Sequence, residues 1–122
     1  MSRFMYALLA LCLALAIFTG STHGGYVCEM GKILLSMNTL GDKKVTFATP
    51  FATKPDVSVA LAAMEASNTK NTRIRAFAKD IATDGFIAET LTWDDTILYT
   101  VAVSWIACGE RDRCAGMNHN QQ

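Results

Sequence analysis

Residues 97–107, ILYTVAVSWIA, constrain this chain more than any other segment. Tyr99, Val101, Val103 and Trp105 alternate with Leu98, Thr100, Ala102, Ser104 and Ile106, the period of two that belongs to a β-strand. Neither set is polar enough to face water along its whole length. A strand of this kind lies in the middle of a sheet sandwich, or has one face covered by a second subunit.

The same period recurs upstream. In 56–64 (DVSVALAAM), Val57, Val59, Leu61 and Ala63 fall on one side, and Pro55 suits a strand entrance. In 72–81 (TRIRAFAKDI), Arg73, Arg75 and Phe77 alternate with Ile74, Ala76 and Ala78, giving a half-buried strand with one basic face. Asp84-Gly85 reads as a turn. Residues 86–93 and 97–107 then read as two strands joined in a hairpin by Asp94, Asp95 and Thr96, and 32–36 and 44–48 as two short strands before them. The alanine-rich cluster 60–66 is too short, and too near Pro55, to stand as a helix. About six antiparallel strands in roughly 100 residues predict an all-β protein, a six-stranded antiparallel β-sandwich.

The start of the chain has a different character. Arg3, an apolar run over 4–18 and small polar residues over 19–25 have the pattern of a secretory signal peptide, with cleavage expected between Gly20 and Gly25. The run is too short for a spanning helix, so no membrane insertion is expected. The expected organisation is a signal peptide over 1–22, one domain over 26–109 and a polar tail over 110–122. Without Arg3, 10 basic residues face 11 acidic ones, which removes the electrostatic case for a nucleic-acid partner. Cys12 leaves with the leader. Cys28, Cys108 and Cys114 remain, and an odd number in an oxidising compartment leaves one cysteine as a free thiol or for a bond to another chain.

Four residues make an inventory suited to a sugar. Trp93 and Tyr99 offer flat apolar faces, and the hairpin reading brings them close, while Arg73 and Asp94 supply directional hydrogen bonds to hydroxyls. Each also has a plainer role. A tryptophan in a short strand packs in a core, an aspartate after a strand shapes a turn, and an arginine solvates a face.

The ordered stretches VTFATPF, KPDVSVALAAME, NTRIRAFAKDIATDGF and LTWDDTILYTVAVSWIA resemble the H-type lectin domain, the fold of edible-snail agglutinin and of the C-terminal domain of the discoidins. The likeness spans 45–107 and rests on Phe47 with Pro50, Pro55, Asn71-x-Arg73, Gly85-Phe86, Trp93, Tyr99 and Ser104-Trp105-Ile106. It implies a six-stranded sandwich that forms a homotrimer and binds N-acetylgalactosamine or galactose at the cleft between neighbours. One face of the last strand would then fill the sandwich and the other the trimer axis.

Carried over residue by residue, the family's sugar-contacting arginine falls on Arg73, its tryptophan on Trp93 and its tyrosine on Tyr99. Arg75 has no counterpart and is assigned to surface or interface. Asp94 stands where the snail agglutinin has a histidine; ionised, it accepts a hydrogen bond but donates none. The segment 31–47 is much shorter than the family loop that supplies a sugar-gripping aspartate. Ser36, Asn38 and Asp42 are the candidates for its role. If the first strand lies beside the last, as in the family, Cys28 pairs with Cys108 and leaves Cys114 for another chain; Cys28 with Cys114 is the other connectivity.

Catalysis has little to stand on. His23 and His119 lie in the leader and the tail, no metal-ligand spacing or Gly-rich phosphate loop occurs, and no cofactor is implied. The adjacent carboxylates Asp94 and Asp95 make a turn more readily than a calcium site. The expectation is a secreted, multivalent lectin for N-acetylgalactosamine- or galactose-terminated glycans, an agglutinin acting in cell adhesion, defence or self/non-self recognition. The alternative is a secreted oligomeric structural or interaction module that keeps the fold without sugar binding.

Overall fold

The structure, a computed structural model, describes residues 25–112. The leader with Cys12 and His23, and the segment holding Cys114 and His119, lie outside the described residues. Six strands follow in order: β1 (Tyr26–Ser36), β2 (Gly41–Thr46), β3 (Asp56–Ala66), β4 (Ile74–Lys79), β5 (Gly85–Thr92) and β6 (Leu98–Glu110), with a 3-10 turn at Met37–Thr39. They form two three-stranded antiparallel sheets, ordered β1-β6-β3 and β2-β5-β4. The fold is the expected six-stranded β-sandwich.

β6 is central because both of its edges are taken, by β1 and by β3. Its inward residues Val101, Val103 and Ala107 are buried. Trp105 packs beside them against Phe47 and Phe86, with ring centroids 6.1 and 5.5 Å away. Phe51 meets Phe47 edge to face at 5.0 Å. A second cluster, Leu35, Leu98, Val101 and Val103, fills the other half of the sandwich. Burying such side chains stabilises by roughly 1.5–3 kcal/mol each. Gly31, opposite Trp105 in the ladder, belongs to this packing: a Cβ there would sit 2.6 Å from the indole.

Three expectations are corrected. The first strand starts at Tyr26 and not near Lys32, since β1 pairs with β6 along its whole length, through the disulfide between register partners Cys28 and Cys108. The alternation of β6 breaks at its start: Leu98 is fully buried while Tyr99 and Thr100 both face outward. Glu65 and Ala66 of β3 oppose Thr100 and Leu98, so Tyr99 is the extra residue of a β-bulge and leaves the face of Val101. Finally, β5 and β6 do not form a hairpin. β5 already has β2 and β4 on its two edges, and Thr92 to Leu98 carries the chain across to the other sheet, where Leu98 joins Leu35, Val101 and Val103 in the core.

The outward face of the β1-β6-β3 sheet carries exposed apolar side chains among polar ones. Met30 and Leu34 are among its most exposed side chains, and a shallow groove of about 370 Å³ runs between Met30, Lys32, Ser58, Ala60, Ser104 and Ile106. The outward face of the other sheet is ionic at its middle. There Lys79 bridges Asp42 and Glu89, at 2.9 Å from each, and links all three strands.

Candidate functional site at one end of the sandwich

Register places three connections at the same end: the β1–β2 turn, the β3–β4 loop at 67–73 and the β5–β6 crossing at 93–97. Ser36 pairs with Thr100, Ala66 with Leu98 and Ile74 with Thr92, so all three loops leave the sheets together. At the opposite end Glu29 accepts the Ala48 N–H and pairs with Arg111, whose guanidinium covers Phe51.

Thr96 ties two of the three loops together. Almost fully buried, it accepts the Arg73 N–H at 3.0 Å and donates its hydroxyl to the Asn71 carbonyl at 2.9 Å. The Thr92 hydroxyl donates to the Arg73 carbonyl at 2.8 Å. Arg73 is therefore held through its own backbone, one residue before β4 and not within it.

Its side chain meets the crossing segment as well. Nη1 donates to Oδ1 of Asp95 at 2.9 Å and lies 3.4 Å from Oδ2 of Asp94. Lys70 lies 3.8 Å from the other carboxylate oxygen of Asp95, Oδ2. Asp94 takes a positive φ of 61°, a left-handed conformation that a short polar side chain tolerates, and this turns the chain sharply between Trp93 and Asp95.

Trp93 follows the last residue of β5, with 47% of its surface exposed. It is not core. The Arg75 guanidinium lies over its ring, 5.6 Å from the centroid. The end of the sandwich thus offers a half-open indole beside a guanidinium and two carboxylates, with polar backbone already satisfied by Thr92 and Thr96.

Of the residues singled out in sequence, Arg73, Trp93 and Asp94 come together here. Tyr99 is exposed at the same end but belongs to the other sheet. Ser36 is there too, committed to a local turn in which the Thr39 hydroxyl accepts its N–H at 2.8 Å and donates to its carbonyl at 3.2 Å. Asn38 lies exposed within that turn. Asp42 is elsewhere, mid-sheet in the Lys79 bridge. The Lys79 ammonium holds its carboxyl below the ordinary value, and Glu89, then Asp42, raise Lys79 in turn. Asp95, Thr96 and Arg75 were not singled out as site residues. Arg75 alternates with Arg73 on one strand face, a signal that marks it, whereas Thr96 carries no local signal because its partners lie 23 and 25 residues away.

Fold and loop end define the class as a small antiparallel β-sandwich domain with a polar and aromatic cluster at one end. The H-type lectin domain matches residues 42–108, more than half of the chain, which belongs to that family. Native recombinant discoidin II of Dictyostelium discoideum has a similar fold, at a TM-score of 0.59 and 20% identity over 75% of this chain and 40% of that one. The wild-type discoidin II structure agrees equally well, with 39% of its length covered. A relative described as ATP synthase subunits region ORF 7, from Fuscovulum blasticum, is 35% identical over 65 residues. That match takes in 53% of this chain and 56% of the relative, so the chain spans little more than half the length of this relative and less of the discoidins.

Proposed function

We propose that the protein is a secreted lectin that binds terminal N-acetylgalactosamine or galactose at the loop end, with Trp93 as stacking platform and Arg73 and Asp94 as hydrogen-bonding groups. The observation that carries this is the half-exposed indole of Trp93 at the same end as the anchored Arg73, in a chain of the H-type lectin family. Tyr99 flanks the site from the other sheet. The groups there bind and orient; no nucleophile, paired general acid and base or cofactor is invoked, so the reading is one of binding and not of catalysis.

The exposed apolar side chains Met30, Leu34 and Ile106 on the β1-β6-β3 face support a homotrimer, which would multiply weak sites into useful avidity. With Cys28 and Cys108 paired, Cys114 is left for a bond between chains. Agglutination, adhesion and a role in defence or self/non-self recognition follow from multivalency.

One observation favours a second reading, a structural or interaction module without sugar binding: Arg73 is already engaged by Asp94 and Asp95. Retention of the protein on immobilised N-acetylgalactosamine, with elution by free sugar, separates the two. Arg73→Ala and Trp93→Ala are expected to abolish retention without changing the oligomer measured by light scattering. Failure of the unmodified protein to bind any member of a glycan array leaves the second reading standing.

A further inference from the structure

We infer that Arg75 is a positioning residue for the sugar platform: its guanidinium covers one face of the Trp93 indole and leaves the other face as the one on which a pyranose stacks. The inference rests on the lectin reading for its ligand, but the placement of the ring stands on geometry alone.

Arg75 and Leu91 are register partners on the outward face of β4 and β5, and Trp93 follows Leu91 two residues later on that side. Arg75 and Trp93 are thus diagonal neighbours, a separation that long side chains span. The guanidinium lies 5.6 Å from the indole centroid, within the range of a cation–π contact. Among the described residues no carboxylate lies within ion-pairing distance of Arg75, in contrast to Arg73, Lys79 and Arg111. The contact it does make is with the ring.

The consequence is directional. A pyranose stacks through a flat patch of C–H groups against one face of an indole. A face under a guanidinium is occupied, so ligand approach is restricted to the opposite face and the edge of a ring that keeps 47% of its surface exposed. Holding the ring also removes rotamers that would otherwise be lost on binding, and a platform fixed in advance binds more tightly.

The test combines calorimetric titration with N-acetylgalactosamine and acrylamide quenching of tryptophan emission, using Trp93→Phe to assign the Trp93 component against Trp105. Arg75→Ala is expected to raise quenching of that component and to weaken sugar binding roughly threefold to tenfold. Arg75→Lys recovers part of both, because an ammonium also sits over an indole, while Arg75→Gln behaves like Arg75→Ala. Circular dichroism establishes that the variants fold. Unchanged quenching in Arg75→Ala overturns the inference, as does changed quenching with unchanged affinity. If the unmodified protein binds no sugar, the lectin reading fails, and quenching alone decides whether Arg75 positions the ring.

Discussion

Nη1 of Arg73 lies 2.9 Å from Oδ1 of Asp95, across the gap between the β3–β4 loop and the β5–β6 crossing. The pair fastens together two loops that no strand ladder joins, and it holds the Arg73 guanidinium against the segment that follows Trp93. Both side chains are partly solvated, so the bond is of modest strength. A double-mutant cycle with Arg73→Ala and Asp95→Ala, read by urea denaturation, is expected to give a coupling of about 0.2–1 kcal/mol. A coupling above about 2 kcal/mol would mean that the pair is far better shielded than its exposure indicates.

Thr96 contributes more to the same junction because it is buried and uses its hydroxyl as both donor and acceptor. Thr96→Val keeps the shape but leaves the Arg73 N–H and the Asn71 carbonyl without their partner. The expected loss is roughly 1–3 kcal/mol in chemical denaturation. Thr96→Ser, which retains the hydroxyl, should recover most of it.

Gly31 is required by a neighbour and not by its own backbone. Any side chain there meets the indole of Trp105, the ring that joins β6 to Phe47 and Phe86. Gly31→Val is expected to cost about 1–3 kcal/mol, the range for overpacking a closed core, and to lower the melting temperature measured by calorimetry. A variant that melts with the unmodified protein would show that the ring has room to move.

The Lys79 bridge makes a prediction in pH. Hydrogen bonding to Lys79 holds the Asp42 carboxyl below its ordinary 3.8, so its contribution to stability is present above that value and is lost as pH falls through the lower folded value. Lys79 works in the opposite sense: raised above its ordinary 10.5 by Glu89 and Asp42, it contributes fully below 10.5, and that contribution is lost as pH rises through the raised value. An NMR titration of the Asp42 carboxyl in Lys79→Met should move its midpoint up, toward 3.8. A midpoint that does not move would remove Lys79 as the cause.

The strands themselves were legible because alternation is a local property. Val57 and Val59, Ile74 and Ala76, Val101 and Val103 announce their inward faces within a few residues, whatever they pack against. The positions of the candidates on or next to a strand, Arg73 and Trp93, were legible for the same reason, helped by the resemblance of the ordered blocks around them. The Lys79 bridge of Asp42 was not legible, because proximity along the chain to the β1–β2 turn says nothing about which cation faces it across the sheet.

By itself, then, the sequence determined the period, and with it six strands, a two-sided β6 and an all-β sandwich. Only the tertiary structure decided that β5 and β6 belong to different sheets, that Tyr99 is the extra residue of a bulge, and that Arg75 lies over Trp93. The physical reason is that alternation specifies which way a side chain points, whereas pairing depends on which edges remain open. The two edges of β5 are filled by β2 and β4, from both before and immediately before it in the chain, so its last residues have to cross to the layer that β1 and β3 leave open for β6. The loop end and its indole exist where they do because of that crossing.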